Sequence, residues 1–406
     1  MKKNHEITAL LQSQKLQQYI RELPSFCQEY FDGIEEKNNL STRIGYAINL
    51  KSFFSYMIEH TEAYKDISIK EFPFEGLKTI KAQDIEDYLQ YLMLYKNTSD
   101  KSITNQESSR SRHLSALRSL YQYFNRCGKL EVNPAILVET PKVPLKQMEI
   151  LHDQDVSILL RGIRNGEGLS PKARSRYYRT WFRDIAIITV FLDTGIRLSE
   201  LIHLDLSDIY YEGNMEYALQ KMDRIAEQYD LEMPPLLPRR GAGERLEGWK
   251  KECRNCFGQI SDCAEDIFPS MGCLSVEKKE KDEEPDALYI SYRTLGILIP
   301  YIRYFRPSLL SHKNDNEEAL FLSMTGDRMA KTSIEEMIDK HSMRYLKQHL
   351  NPQKLRDTRG NFVFRETGDL ALASEVLRHK NINTIKRHYR MTDEEKKRAI
   401  ALRTQR

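Results

Sequence analysis

Four side chains in the second half of the sequence stand in an order that suits work on a phosphate. Arg197 lies in Asp193-Thr-Gly-Ile-Arg-Leu-Ser-Glu200, where a densely apolar helix stops at a glycine and a new helix starts. A guanidinium in the interior there would have the positive end of a helix beside it. Its planar fork matches phosphate oxygens. The same arginine could equally pair with Glu200 and serve only structure. Arg356 stands in Lys354-Leu-Arg-Asp-Thr358, after Asn351-Pro352. His379 closes Leu377-Arg-His379, and Tyr389 follows ten residues later. Taken singly, each has a bland reading: a histidine on an apolar helix face is usually a satisfied core residue, and Tyr389 is one of 22 tyrosines. The weight falls on the combination of Arg, Arg, His and Tyr, in that order, each at a helix boundary.

The elements that must position these residues can be read from periodicity and punctuation. The first 130 residues read as helices. Ser41-Thr42 caps a helix with the stripe Ile44, Ile48, Phe53, Phe54, Met57, Ile58. Asp84-Ile85 opens another, with Tyr88, Leu89 and Leu92 on one face. A third turns Leu114, Leu117, Tyr121 and Phe124 inward and carries Arg110, Arg112, His113 and Arg118 elsewhere; Gly128 ends it. Prolines and charge without apolar period mark residues 138–148 as a linker. A second unit restarts as helix at Asp153 to Leu160. Trp181 to Leu192 reads as a buried helix, and Leu198 to Leu204 as a short one. Residues from about 213 to 272, with Pro234, Pro235, Pro238 and several glycines, read as an insertion with little structure beyond a helix near Glu216 to Gln228. Short strands follow at Leu274 to Val276 and Leu288 to Ser291. Helical patterns then resume at Leu295 to Phe305 and from Ser333 onward.

Composition bounds the class. At 406 residues, 40% apolar and 30% charged, the chain suits two globular domains. No run of about 18 apolar residues stands out, which speaks against a membrane span, and the polar N-terminus lacks a secretion signal. A cytoplasmic protein is predicted. Net charge is only +3, but residues 354–406 hold fourteen lysines and arginines against seven acids. That basic tail could face phosphates or be an ordinary solvated surface. Six cysteines are present. A reducing compartment makes disulfides unexpected. Cys253-x-x-Cys256 with Cys263 and Cys273 could make four zinc ligands, but the second pair is spaced by nine positions, so free thiols in a flexible loop are expected and no metal is assigned.

These motifs resemble the tyrosine recombinase/integrase family over most of the chain. Leu192-Asp-Thr-Gly-Ile-Arg197-Leu-Ser-Glu-Leu201 resembles its first arginine box, and Pro352-Gln-Lys-Leu-Arg356-Asp-Thr358 its second. Leu377-Arg-His379-Lys-Asn-Ile-Asn-Thr384 resembles the box that precedes the nucleophile, and Ala319-Leu-Phe-Leu-Ser323 the strand-like segment before the second box. The N-terminal helices, from Leu23-Pro24 to Phe54-Ser-Tyr56 and from Leu114 to Phe124, are most similar to the Xer branch, particularly its single-recombinase type from Gram-positive bacteria. The resemblance implies a mainly α fold with a small β-sheet. Residues 1–137 would be a helical core-binding domain, 138–148 a linker and 149–406 a catalytic domain, the two domains clamping DNA.

By the same resemblance, Tyr389 attacks a DNA phosphodiester to form a 3′-phosphotyrosyl link, which a 5′-hydroxyl later reverses without ATP or metal. Arg197, Arg356 and His379 would hold the phosphate. Lys278 in Val276-Glu-Lys-Lys-Glu-Lys281 would be the general acid, with Lys279 nearly as well placed. Arg110, Arg112 and Arg118 would face DNA. Double-stranded DNA is the implied partner, bound by a homotetramer on two sites, with residues 393–406 as a docking helix and room for an accessory protein. Integration, excision and dimer resolution are all open.

Three departures stand out. Gln353 replaces the usual histidine three before Arg356, and glutamine cannot shuttle a proton near neutral pH. Arg378 replaces the usual glycine before His379. His388, not Tyr389, falls at the usual spacing. They keep a second reading alive, a sequence-specific DNA-binding protein that kept the fold and lost catalysis. A type IB topoisomerase is a weaker rival.

Overall fold

The protein is described by a computed structural model at residues 2–36, 38–94, 104–141, 150–170, 177, 179–228, 243–276, 285–310 and 318–379. It is mainly α-helical with one small antiparallel sheet, the fold class expected from the motifs. Two compact units divide the chain, Met1–Leu145 and Lys146–Arg406. Among the described residues, no helix is long and apolar enough to cross a membrane.

The first unit holds α1 (Lys2–Ile20), α2 (Phe26–Gly33), α3 (Leu40–His60), α4 (Phe74–Thr79), α5 (Ala82–Leu94) and α6 (Thr104–Arg126). The cap of α3 is Asn39, whose side chain accepts from the Thr42 amide at 2.9 Å. The buried stripe of α3 is Ala47, Leu50, Phe53, Phe54 and Met57, while Ile48 is exposed. The steps 47, 50, 54 and 57 follow the 3.6-residue period more closely than the expected stripe did. Leu114, Leu117, Tyr121 and Phe124 of α6 are buried as expected. Phe26 meets Phe54 and Phe124 edge to face, and Phe53 meets Tyr88 likewise. Each such pair adds about 0.5–1.5 kcal/mol beyond area burial. Val138, placed in the linker from sequence, is buried in this core. Residues 142–149 of that linker lie outside the described residues.

The second unit begins with α7 (Asp153–Asn165), α8 (Trp181–Thr194) and α9 (Leu198–His203). After β1 (Ile209–Tyr211) come α10 (Met215–Gln228), α11 (Gly243–Asp262) and α12 (Ala264–Ile267). Then follow β2 (Gly272–Val276), β3 (Asp286–Ile290), α13 (Tyr292–Pro300), α14 (Arg306–Leu309), α15 (Lys331–Tyr345), α16 (Pro352–Thr367) and α17 (Leu370–Val376). The sheet order is β1-β2-β3, with Tyr211 opposite Gly272 and Leu274 opposite Leu288. In β2, Gly272, Leu274 and Val276 are buried and the residues between are half-exposed, the alternation of a strand with one face on a core. Helix α8 is the centre of this unit; twelve of its residues are buried.

The insertion is where the sequence reading fails. It is largely helical where described, with α11 and α12 added to the expected α10. Cys253, Cys256, Phe257 and Ile260 step at i, i+3, i+4 and i+7 and are all buried in the main core. The Phe257 ring lies 4.9 Å from that of Phe182 and 5.0 Å from that of Phe305. The Tyr304 hydroxyl donates to Asp223 of α10 at 2.5 Å. The four thiols are free, as expected, but not in a loop: Cys253 and Cys256 are buried core groups and Cys263 and Cys273 are half-buried. Burial pushes the Cys256 thiol up to about 12 and raises Cys253 well above its ordinary value. The prolines that suggested an open loop, Pro234, Pro235 and Pro238, lie outside the described residues.

Candidate active site

The site is assembled on two turns. The first ends α8. Gly195 takes a left-handed φ of +62° there, which costs glycine nothing. A Cβ at 195 would also sit 2.6 Å from Leu377 Cδ2, so the glycine lets the second turn close against the first. Asp193 fixes the near end: its Oδ2 accepts from the Ser291 amide at 2.8 Å, Ser291 Oγ at 2.9 Å and Thr294 Oγ1 at 2.5 Å. It thereby ties the turn to the start of α13.

Arg197 is the N-cap residue of α9. Its amide donates to Glu200 Oε2 and its Nη1 to Glu200 Oε1, both at 2.8 Å; its Nη2 donates to the Arg378 carbonyl at 2.6 Å. The side chain is 38% exposed, so it opens to solvent rather than lying in the interior, as its position suggested. The pairing with Glu200 weighed as a purely structural role is present, and it leaves donor capacity on the guanidinium's open side.

Arg356 takes the interior place. Asn351 caps α16, accepting from the Lys354 amide at 2.9 Å, and Pro352 fills the first turn. One turn on, the Arg356 guanidinium is 2% exposed. Its Nη1 donates to the Gly195 carbonyl and its Nη2 to the Leu377 carbonyl. Burial first, and then the nearby Arg197 charge, push its pKa down to about 10, which still leaves it charged at neutral pH. The bonds to two backbone carbonyls offset its desolvation. Two consecutive carbonyls of one turn, Leu377 and Arg378, therefore accept from the two arginines.

That turn leads into His379. The histidine is past the end of α17, half-buried, with its amide donating to the Ser374 carbonyl at 2.9 Å. It is a turn residue, not a member of an apolar helix face. Gln353 is exposed and its Nε2 donates to Asp357 Oδ1 at 2.8 Å. Arg197, Arg356 and His379 are thus gathered around one turn, with Gln353 one helical turn before Arg356. Lys278, Lys279, Lys281, His388, Tyr389 and the segment 393–406 lie outside the described residues.

In the first unit Arg112 is exposed and Arg110 half-buried. Arg118 departs from the expected outward role. Its Nε donates to the Ala135 carbonyl at 3.0 Å, its Nη1 to Thr140 Oγ1 at 2.8 Å and its Nη2 to the Val138 carbonyl at 2.6 Å. The guanidinium holds the chain that leaves the helix bundle, because three acceptors converge on it there.

Sequence reasoning missed what Arg378 does. It has a φ of +50°, and its guanidinium reaches Glu200 Oε2 at 2.5 Å and Asp286 Oδ2 at 3.4 Å. Burial would raise the Glu200 carboxyl's pKa, but hydrogen bonds from Arg378 and Arg197 more than offset it and hold it below the usual range. The replacement of glycine at 378 was visible; its partners, 178 and 92 positions away, were not. A buried group at the opposite end of α8 was also missed: Asp184 pairs with Arg183 at 2.7 Å and with His341 Nε2 at 3.0 Å, and Arg183 Nη1 donates to the Leu322 carbonyl.

No protein-family model matches the chain. The tyrosine recombinase XerC of Natranaerobius thermophilus is 25% identical over 357 residues, covering 86% of this chain and 92% of its own length. The tyrosine recombinase XerS of Streptococcus thermophilus is 29% identical over 216 residues, covering 48% of this chain and 60% of its own. The chain is similar to tyrosine recombinases over most of its length. The fold agrees: the XerH site-specific recombinase, solved bound to difH substrate, matches with a TM-score of 0.52 at 12% identity, over 86% of this chain and 77% of that one.

Proposed function

We propose that this recombinase cleaves and rejoins duplex DNA site-specifically through a 3′-phosphotyrosyl intermediate. The observation that carries the reading is the pair Arg197 and Arg356, which bond consecutive carbonyls of the turn leading into His379. Two guanidinium forks fixed on one rigid turn suit a phosphorane, whose extra negative charge they would stabilise most in the transition state.

The roles follow from the chemistry. The Tyr389 phenol oxygen gives up its proton to water and attacks the phosphorus, the P–O5′ bond breaks, and the 5′-oxygen takes a proton from the Lys278 ammonium. A 5′-hydroxyl of a partner strand then attacks the phosphotyrosine and restores the diester, returning the phenol. The bond energy stays in the ester, so no ATP is consumed. His379 would donate a hydrogen bond to a non-bridging oxygen. Arg110 and Arg112 would contact the DNA backbone, while Arg118 supports the fold of their unit. A homotetramer on two DNA sites, with or without an accessory protein, is the assembly such strand exchange calls for.

The alternative of a binding protein that lost catalysis rests on Gln353. The relatives named above are recombinases, and the two arginines, histidine and tyrosine are all present, so it has no positive support. The experiment is covalent trapping from a pool of nicked suicide duplexes with randomised arms. A denaturation-resistant protein–DNA adduct is expected. Binding without any adduct would restore the alternative.

A further inference from the structure

We infer that Arg378 is a positioning residue: its guanidinium clamps the turn that presents His379 onto the Arg197–Glu200 helix cap. The inference rests on the recombinase reading and extends it to a residue absent from the family's motif, where glycine is usual.

The backbone at 378 is left-handed, with φ +50°. Glycine adopts this freely, whereas an arginine is strained there. Such strain persists where surrounding contacts over-determine the conformation, and those contacts are present. The Arg378 amide donates to the Glu375 carbonyl at 2.8 Å. Its carbonyl accepts from Arg197 Nη2 at 2.6 Å. Its Nη2 meets Glu200 Oε2 at 2.5 Å, and its Nη1 meets Asp286, the first residue of β3, at 3.4 Å. The side chain is only 17% exposed.

The geometry has a consequence that glycine could not supply. Glu200 uses Oε1 for Arg197 and Oε2 for Arg378. One carboxylate is therefore shared by two guanidinium groups, and Arg378 closes a ring: side chain to Glu200, Glu200 to Arg197, Arg197 back to the Arg378 carbonyl. The ring fixes the Arg197 fork relative to the turn that Arg356 holds at Leu377. The contact to Asp286 adds the edge of the sheet to the same anchor. Arg378 acts through Arg197 and His379 and need not touch DNA.

The test uses nicked duplexes captured by the full-length wild-type chain, and measures single-turnover adduct formation beside DNA affinity. Arg378→Ala should slow adduct formation about tenfold to a hundredfold, the cost of a misplaced catalytic group, with affinity unchanged. Arg378→Lys, which can still reach Glu200, should recover part of the rate. Arg378→Gly should be as slow as Arg378→Ala although its backbone is unstrained. Because the clamp acts in part through Arg197, the double variant Arg197→Ala/Arg378→Ala should be slowed by less than the product of the two single effects. Wild-type rates in Arg378→Ala, or full additivity in the double variant, overturn the clamp while leaving the recombinase reading standing. No adduct from the wild-type chain overturns that reading, and the clamp with it.

Discussion

Removing Arg356 and removing Arg197 should cost similar catalysis and very different stability. Both forks would stabilise charge in the transition state, and loss of one such donor costs on the order of a hundredfold or more in rate. Their environments differ. Arg356 is 2% exposed and satisfies the buried carbonyls of Gly195 and Leu377. Arg356→Ala leaves both without a donor, at about 1–3 kcal/mol each, or about 2–6 kcal/mol together. For a unit of this size that lowers Tm by about 4–24 °C. The Arg197 side chain is 38% exposed, and Glu200 keeps Arg378 as a partner when Arg197 is removed, so the loss of this half-exposed pair should cost only about 1 kcal/mol. Thermal unfolding of the two variants beside single-turnover cleavage checks this. Arg356→Ala should melt well below Arg197→Ala while both cleave poorly. Equal melting temperatures would refute the buried role of Arg356, and wild-type cleavage by either variant would remove it from the site.

Three further outcomes are expected. Gln353→His should keep or raise cleavage, because the new imidazole would find the Asp357 carboxylate that Gln353 now holds at 2.8 Å and regain a transferable proton; a large loss in a folded variant would give Gln353 a role of its own. Burial holds the His113 imidazole at about 4 against an ordinary 6.5, so the unfolded chain binds that proton first. Its contribution to stability is full above pH 6.5 and declines toward pH 4, by at most about 3 kcal/mol. The Tm of a His113→Gln variant should accordingly fall less steeply than wild type across that range, and parallel curves would exclude the effect. Chelation should leave Tm unchanged and purified protein should carry less than one equivalent of zinc, since Cys253 and Cys256 are buried core thiols; stoichiometric zinc by elemental analysis would contradict this.

What the sequence made legible was local. Arg197 at a helix start after Gly195, and Arg356 one turn into a helix capped by Asn351, follow from punctuation and spacing. The mainly α class and the Leu114 to Phe124 face follow from period. The failures involve partners far apart in sequence. Nothing near Arg378 announces Glu200 or Asp286, and nothing near Arg118 announces three acceptors between residues 135 and 140. Helix α11 was missed because prolines and glycines before it suggested a loop, although Cys253, Cys256, Phe257 and Ile260 already carried a helical period. The three-residue β1 is too short to show alternation, and only pairing with β2 makes it a strand.

Arg197, Arg356 and His379 are proposed to serve a tyrosine nucleophile at 389. The most direct measurement is mass spectrometry of the trapped adduct after proteolysis. A tyrosyl ester is stable, while a histidyl phosphoramidate at His388 would be labile. A nucleotide remnant is expected on the peptide containing Tyr389, at Tyr389 itself, and none in Tyr389→Phe, with His388→Ala merely slower. A remnant on any other residue, or an undiminished adduct in Tyr389→Phe, would contradict it.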